Sequence, residues 1–575
     1  MNDSAKVSTA ISPESSAPAS PEKTDNASLI AGETVATFGA SSTGSTATTK
    51  PKQETGRHAA MVGAGILISR IVGLVRQRVF AYYFGTSAAG DAFTAAFRIP
   101  NFLQNVFGEG ALSASFIPVY AKLLAQNDEK QARHVANAVL GLLALITAII
   151  VLLGVLTTPY LITIIAAGFQ DERRELTIRL VRILFPGAGL LVLSAWCLGV
   201  LNSHHLFFIS YTAPVIWNLS IIGALIFFGG RVGQFPLAEA TAWGSVIGSA
   251  LQFGVQMPTV LKLIPRLRPT IDLASEHVRT VGRNFLPVFI SRGVVQISAF
   301  VDAALASFLG EGAMAALGYA QSLYTLPVSL FGMAVSAAEL PTMSKELGNV
   351  EEVSQALRHR LDEGLKRIAF FIVPSSMAFL ALGDVIAAVL YQTGRFSHDA
   401  ANYVWAILAG STVGLLASTL GRLYSSTYYA LRDTRTPLHY ATLRVILTTV
   451  LGYLCALPLP PLLGLDPKWG VAGLTASAGV AGWIEFTLLR RKLNRRIGRT
   501  GLPLSLVAKL WLGAIVGAAV AWGFKLLLPR LHPLPLAIIV LGSYGVTYFL
   551  ITAAVGVQEA KDVIARVFRI AFRRR

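Results

Sequence analysis

The stretch ILISRIVGLVRQRVFAYYFG (residues 66–85) carries Arg70, Arg76 and Arg78 inside a long apolar run. A charged side chain in the hydrocarbon of a bilayer is costly, so these arginines must either leave the lipid or have a task within it. On a helix, Arg78 lies about 80° and Arg76 about 120° from Arg70, so the three cannot share one narrow stripe. Arg78 is expected to reach the membrane interface, whereas Arg70 and Arg76 are expected to face a polar interior.

The composition of the whole chain is that of a membrane protein. Of its 575 residues, 53% are hydrophobic and only 14% are charged, and the mean hydropathy is +0.58. A soluble protein of this length needs more charged side chains to cover its surface. Apolar runs long enough to cross a bilayer recur along the chain, without the alternation typical of an outer-membrane barrel. The sequence therefore predicts an all-α polytopic membrane protein.

About fourteen transmembrane helices are predicted. They lie near residues 59–84, 88–108, 135–166, 176–202, 211–229, 236–264, 281–309, 312–344, 366–392, 401–430, 437–458, 469–493, 504–528 and 534–556. Lysine and arginine are concentrated in the connections of one side, which include RRKLNRRIGR (490–499) and the C-terminal RVFRIAFRRR. By the positive-inside rule, both termini are cytoplasmic. The net charge of +18 then reflects topology and contact with anionic lipid, and no nucleic-acid partner is expected.

The first 57 residues have a different character from the rest. They are rich in Ser, Thr, Ala and Pro and carry a net charge of −1. They lack the apolar core of a secretory signal, and their low hydrophobicity is typical of disorder. We expect residues 1–57 to form a disordered cytoplasmic tail.

The two halves of the apolar region resemble each other at an offset of about 223 residues. ISRIV (68–72) returns as ISRGV (290–294), and Pro118 followed by Lys122 returns as Pro341 followed by Lys345. The offset spans an even number of predicted helices, so the repeats are parallel and related by a pseudo-two-fold axis along the membrane normal. The predicted units are two six-helix bundles (58–270 and 271–497), two extra transmembrane helices (498–558) and a basic cytoplasmic C-terminal helix (559–575).

Several charges besides Arg70 and Arg76 lie deep in the predicted helices. They are Asp91, Arg98, Glu109, Arg292, Asp302 and Glu339. Arg292 is the repeat counterpart of Arg70. A cavity that holds several arginines and a few carboxylates suits an anionic substrate such as a pyrophosphate. Internal ion pairs, Arg292 with Asp302 and Arg98 with Asp91, are the structural alternative, and both can hold at once.

No enzyme signature appears in the sequence. It lacks a nucleotide-binding GxxxxGK[ST], an HExxH motif and a large extramembrane loop. Cys197 and Cys455 lie far apart in apolar segments, so neither a disulfide nor a metal site is expected. No cofactor is expected, and energy would come from a monovalent cation gradient or the membrane potential. Asp91, Asp302 and Glu339 are the candidate ion or proton sites.

Three segments carry a resemblance to a known family. SRIVGLVRQ (69–77), DAFTAAFRIPNFLQNVFGEGALSASFIPVYA (91–121) and YYALRDTRTP (428–437) closely resemble the MurJ (MviN) lipid II flippases of the multidrug/oligosaccharidyl-lipid/polysaccharide exporter superfamily. The resemblance extends from about residue 59 to the C-terminus. It implies alternating access between the bundles and transfer of undecaprenyl-pyrophosphate-linked disaccharide-pentapeptide from the cytoplasmic to the periplasmic leaflet of the bacterial inner membrane, for cell-wall synthesis. It also implies that the last two helices form a groove for the lipid tail.

The resemblance places family positions of the cavity and gate at six residues: Ser69, Arg70, Arg76, Asp91, Asn101 and Glu109. Some family charges are missing. An acidic residue is replaced by Gln77, an arginine by Gln104, and an Asp-Arg pair by Gln321 and Ser322. We expect Arg292 and Arg98, with Asp302 as counter-charge, to replace part of this cationic cavity. Substrate binding is thus assigned to Arg70, Arg76, Arg98, Asn101 and Arg292, and gating or ion coupling to Ser69, Asp91, Glu109, Asp302 and Glu339.

Other functions stay open at this stage. The fold would also suit the export of another polyprenyl-linked saccharide. A drug/cation antiporter fits less well because an arginine-lined cavity repels cations. A non-transporting scaffold could recruit cell-wall enzymes through the tail, and a glycosyltransferase would need catalytic loops that are missing. The protein is expected to act as a monomer that contacts lipid II, the bilayer and cell-wall synthesis proteins.

Overall fold

The computed structural model describes residues 52–333, 335–336, 339, 343, 350–528 and 531–572. The first half begins with α1 (Lys52–Phe84) and α2 (Ala88–Leu103), and a π-helical segment (Gln104–Leu112) joins α2 to α3 (Ser113–Ala125). It continues with α4 (Glu129–Ile165), α5 (Asp171–Ser203), α6 (Phe207–Phe228) and α7 (Gln234–Leu263). Helix α1 begins within the segment assigned to the tail, and residues 1–51 lie outside the described residues.

The second half follows a connection at 264–275. It contains α8 (Glu276–Ser307), α9 (Ala313–Pro327) with a π-helical segment (Val328–Met333), α10 (Val350–Tyr391), α11 (His398–Ala430), α12 (Arg435–Ala456) and α13 (Gly470–Ile497). Three helices complete the described chain: α14 (Leu504–Leu527), α15 (Pro533–Ala554) and α16 (Gln558–Phe572). Every predicted transmembrane stretch overlaps one of these helices. The second was expected to end at residue 108, but its helical path continues through the π segment to Ala125.

A proline precedes the π-helical segment in each half. Pro100 lies four residues before the first segment, and Pro327 directly precedes the second. Proline has no N–H to donate to the carbonyl one turn earlier, so the hydrogen-bond register is disturbed there, and widened turns of this kind are frequent at functional sites.

Nine helices within the described residues are long and apolar enough to cross a membrane. They are α4, α5, α6 and α10 to α15, so the count of fourteen spans remains a prediction. The helices outside this set include the first two of each half: α1 and α2, and their counterparts α8 and α9. These four helices also carry most of the candidate charges. A helix that faces a polar interior needs fewer apolar residues than one surrounded by lipid.

The helix packing repeats between the halves. In the first half α6 packs on α1, and α5 packs on α2, α4 and α7; in the second, α12 packs on α8, and α11 packs on α9, α10 and α13. Helices α14 and α15 pack against each other and against α10. Helix α8 also packs on α3, α4 and the first π segment, so it joins the two halves. This recurrence is what an internal duplication predicts.

Candidate functional site

Arg76 lies inside the first half, among aromatic rings. Its Cζ is 5.1 Å from the ring centroid of Phe97 on α2 and 5.5 Å from that of Trp217 on α6. The two rings stack, with centroids 5.4 Å apart and planes 8° apart. Within the described part of the chain, Arg76 forms no ion pair. Cation–π contacts hold the guanidinium without neutralising it, so its charge is available to an anion.

The other two arginines of the opening stretch have different surroundings. Arg70 is exposed on the surface of α1. The Nη1 group of Arg78 donates to the carbonyl oxygens of Val389 (2.6 Å) and Leu390 (3.0 Å), at the end of α10. A cation is favoured there because the last carbonyls of a helix carry partial negative charge. Arg78 thus links α1 to the second half of the molecule.

Asp91 is fully buried and binds the start of α9. Its Oδ2 accepts a hydrogen bond from the N–H of Gly312 (2.7 Å) and its Oδ1 from the N–H of Ala315 (2.8 Å). The Nη1 group of Arg173, which lies over the ring of Phe169, is 3.4 Å from Oδ2. A carboxylate is stabilised at a helix N-terminus by unpaired N–H groups and by the helix dipole. A residue of the first half therefore caps a helix of the second.

The reverse contact is also present. Glu311 Oε1 accepts a hydrogen bond of 2.8 Å from the N–H of Ala88, the first residue of α2. Ala88 and Glu311 are 223 residues apart, which is the repeat offset found in the sequence. Each carboxylate thus caps a helix of the other half, and the two caps are related by the pseudo-two-fold axis. The sequence analysis assigned Asp91 to gating or ion coupling but missed Glu311 and Arg173.

Close backbone contacts surround these caps, at what we call the closed end (residues 82–91, 307–315 and 394–396). The N–H of Arg395 donates to the carbonyl of Tyr82 (2.9 Å), and the N–H of Gly168 donates to Ser307 Oγ (2.9 Å). These contacts are approximate repeat counterparts of each other. A Cβ on Gly312 would lie 2.6 Å from the carbonyl oxygen of Thr86, so only glycine permits this approach.

Arg98 and Asp302 belong to a second group of charges, on the side of α8. Arg98 Nη1 donates to the carbonyl of Ala299 (2.8 Å), and its Nε is buried with no partner among the described residues. Asp302 is attracted by Arg98 and by Arg444, which also pairs with Glu485 at 3.1 Å. The alternative pairing of Arg98 with Asp91 is wrong, because Asp91 is occupied by the start of α9. Neither Arg444 nor Glu485 was singled out in the sequence.

Gln77 and Ser322, two uncharged residues at positions where the family has charged ones, form a hydrogen bond with each other. Gln77 Nε2 on α1 donates to Ser322 Oγ on α9, at 2.8 Å. These are positions where the family resemblance implies charged residues. The link between α1 and α9 is therefore a hydrogen bond between uncharged side chains in this chain.

The remaining candidates are dispersed. Ser69 and Asn101 are half-buried, and Glu339 Oε1 lies 3.5 Å from Arg367 Nη1. The side chains of Glu109 and Arg292 lie outside the described residues. The expectation that Arg292 takes the place of arginines that the family has and this chain lacks therefore stays a prediction. Across the described residues, no group of three or more His, Cys, Asp or Glu could hold a metal ion.

Comparison with known proteins relates these features to one family. The family model described as "Lipid II flippase MurJ" matches residues 80–542. The probable lipid II flippase MurJ of Rhizobium tropici is 33% identical over 442 residues, covering 76% of this chain and 80% of that protein. The lipid II flippase MurJ of Burkholderia cenocepacia is 31% identical over 436 residues, covering 75% and 82%.

Solved structures show the same relationship. A structure of lipid II flippase MurJ in an inward closed conformation matches with a TM-score of 0.72 and 25% identity, over 88% of this chain and 100% of that one. An inward-facing multidrug resistance MATE transporter of the MOP superfamily matches with a TM-score of 0.61 and 17% identity, over 74% and 95%. The second match indicates a shared fold alone.

Proposed function

This chain belongs to the MurJ family of lipid II flippases, and from that premise we propose how it moves its substrate. It is a multi-pass inner-membrane transporter, not an enzyme, and it acts in peptidoglycan synthesis on lipid II within the bilayer. In the proposed cycle, lipid II enters from the cytoplasmic leaflet and leaves to the periplasmic leaflet as the two halves expose the central cavity alternately. Both termini are cytoplasmic in this proposal, so the closed end faces the periplasm.

The reciprocal caps at the closed end are the observation that carries alternating access. Asp91 and Glu311 each bind main-chain N–H groups of the opposite half, so opening that end must break both sets of hydrogen bonds. Charge-assisted hydrogen bonds are stronger than neutral ones, but water can replace them once the end opens. This arrangement gives two discrete states, closed with caps made and open with caps hydrated.

Arg76 is the proposed contact for the pyrophosphate. Its guanidinium is held by two rings and by no carboxylate in the described region, so an anion can approach its free edge. Arg70, Arg98, Asn101 and Arg292 are proposed to complete the cationic side of the cavity. A guanidinium suits this task because it can bind two phosphate oxygens at once.

Energy for the cycle is proposed to come from a monovalent cation gradient or the membrane potential, without a cofactor. Asp302 is the leading coupling residue in this proposal, because it is attracted both by Arg98 of the first half and by Arg444 of the second. Loss or gain of charge at Asp302 would change the attraction between the halves. Ser69, Asp91, Glu109 and Glu339 remain the other proposed gate or coupling residues.

The decisive experiment measures how much lipid II is accessible at the outer leaflet in cells depleted of their own flippase. Cells receive this protein as wild type, Arg76→Ala or Arg231→Ala. Arg231 is a matched control because its guanidinium also lies over a ring, that of Phe227, at 4.7 Å, but in the turn after α6. Wild type and Arg231→Ala should restore outward-facing lipid II, and Arg76→Ala should not.

Two outcomes would change the assignment. Normal transport by an inserted Arg76→Ala variant would exclude Arg76 as the pyrophosphate contact. Failure of an inserted wild-type protein would point to another polyprenyl-linked saccharide as its substrate. Deleting residues 1–57 in the same assay tests the scaffold alternative, since a scaffold that acts through this tail would lose function while a flippase would keep it.

A further inference from the structure

A cavity of about 610 Å³ lies between the start of α4 and the start of α8, away from Arg76 and the closed end. Four basic side chains line it: Lys130, Arg133, His134 and His277. One carboxylate, Glu276, lies among the lining residues. The cavity is bounded on one side by the connection that joins the two halves of the molecule.

This connection is fixed on α4, which gives the cavity a defined wall. Asn137 accepts two hydrogen bonds from it: its Oδ1 from the N–H of Arg268 and its carbonyl from the N–H of Thr270, both at 3.3 Å. Thr270 also lies against Gly141, where a Cβ would come within 2.8 Å of the Thr270 backbone nitrogen. His134 Nε2 lies 2.6 Å from Asp272 Oδ2. These contacts fix the wall of the cavity, while Lys130 and His277 are exposed at its opening.

The charges around the cavity are unbalanced. Asp272 is occupied by His134 and by the N–H groups of Ala274 and Ser275. In the described portion of the chain, Lys130 and Arg133 form no ion pair. Lys130 and Arg133 outnumber the one carboxylate of the lining, Glu276, so the lining is net positive and favours an anion. A lysine and an arginine at one cavity are typical of phosphate binding.

We propose that this cavity binds a phosphate group, through Lys130 and Arg133 with His277 at the rim. The ligand is either the headgroup of an anionic phospholipid or a soluble phosphate. Because α4 belongs to the first half and α8 to the second, a bound phosphate contacts both and stabilises the arrangement in which they lie together. The site thereby makes the conformational equilibrium depend on an anion that is not the transported substrate.

The test uses the purified full chain and two double variants. Lys130→Gln/Arg133→Gln removes the two cations of the cavity. Lys122→Gln/Arg283→Gln is the matched control, because it removes the same charges from exposed positions of α3 and α8 that do not line the cavity. Thermal unfolding in detergent is followed with increasing inorganic phosphate at constant ionic strength. Native mass spectrometry then measures phosphatidylglycerol retained from nanodiscs that contain phosphatidylglycerol and phosphatidylcholine.

If the ligand is soluble, phosphate stabilises the wild type and the control, and the cavity variant binds it roughly tenfold more weakly or worse. If the ligand is a lipid, phosphate has no effect, but wild type and control retain phosphatidylglycerol that the cavity variant loses. Equal behaviour of the two double variants in both measurements would overturn the proposal. Unfolding midpoints without ligand show whether each variant is folded.

Discussion

The guanidinium of Arg76 contacts two aromatic faces, and this geometry distinguishes arginine from lysine. A planar guanidinium can stack on Phe97 while keeping one edge free for an anion, whereas an ammonium is a compact charge that cannot do both. We expect Arg76→Lys to fold and insert but to lose about 0.5–2 kcal/mol of interaction with the rings and most of its transport. The measurement is outer-leaflet lipid II in the depleted cells. Full transport by the lysine variant would mean that charge alone suffices.

A pH-sensitive contact joins α3 to the turn after α5. Tyr120 OH lies 3.1 Å from His204 Nε2, and burial, together with the neighbouring His205, lowers the pKa of His204 below its usual value of 6.5. The folded protein therefore binds fewer protons at this site than the unfolded chain, so its stability falls as the pH drops through 6.5. We expect the wild-type unfolding midpoint to fall more between pH 8 and pH 5.5 than that of His204→Gln. Equal falls would contradict this account.

Single residues also show what the sequence could and could not predict. Asp91 and Arg76 were identified because a deep charge in an apolar helix requires a reason. The partner of Asp91 could not be found, because Gly312 and Ala315 contribute main-chain N–H groups that no side-chain pattern reveals. Glu311 could have been identified from the sequence, since it lies one repeat offset of 223 residues after Ala88. The bond between Gln77 and Ser322 was not, because two uncharged residues give no signal of being paired.

At the scale of elements, a proline on α10 explains how α15 is attached. Pro374 has no N–H, so the carbonyl of Phe370, one turn earlier, has no helical donor. Tyr548 OH on α15 donates to this carbonyl at 2.7 Å, whereas Tyr544 OH donates to the carbonyl of Pro374, also at 2.7 Å. The Pro374 carbonyl can still accept from within α10.

Replacing these tyrosines with phenylalanine should therefore have unequal effects. Tyr548→Phe leaves the buried Phe370 carbonyl unsatisfied and should cost about 0.6–2 kcal/mol, seen as a lower unfolding midpoint and faster hydrogen exchange in α15. Tyr544→Phe is the matched control and should cost less. The explanation fails if Tyr544→Phe proves as destabilising as Tyr548→Phe.

The positions of the helices could be predicted from the sequence better than the residues at which they end. Apolar runs of the length needed to cross a bilayer coincide with the long helices, because backbone groups in lipid must be paired within one segment. The boundaries were wrong where a helical path continues beyond the predicted span, as that of α2 does through the π segment to Ala125. Apolar periodicity ends at the membrane surface although helical hydrogen bonding continues, so hydropathy could not place these ends.

At the scale of the whole molecule, substitutions of two glycines in the α8–α9 turn can distinguish the effect of backbone strain from the effect of losing a contact between the halves. Gly310 and Gly312 both have positive φ (94° and 84°), but only Gly312 lies against Thr86 of the first half. An alanine at either position costs about 1–2 kcal/mol of strain. Only Gly312→Ala should in addition weaken the closed end and transport lipid II poorly. Equal transport by both variants would show that the contact with Thr86 is dispensable.

The two caps should contribute jointly to the closed state, because both cross the same interface at positions related by the repeat. Asp91→Asn removes a charge that binds two N–H groups, and Glu311→Gln one that binds a single N–H group, so Asp91→Asn should open the closed end more. Spin labels at Val232→Cys and Leu463→Cys, in exposed connections of opposite halves, report this opening as longer distances in pulsed EPR once Cys197 and Cys455 are replaced.

The double variant Asp91→Asn/Glu311→Gln shows whether the two caps act together or independently. If breaking one cap already opens the end, the second substitution adds little, and the combined shift is smaller than the sum of the single shifts. Independent caps would instead give additive shifts. Each carboxylate gains full hydrogen bonding only while the halves are together, and one rotation about the pseudo-two-fold axis separates both caps at once. We therefore expect the non-additive result, and an unchanged distance distribution in Asp91→Asn would show that the closed end is held by its backbone contacts alone.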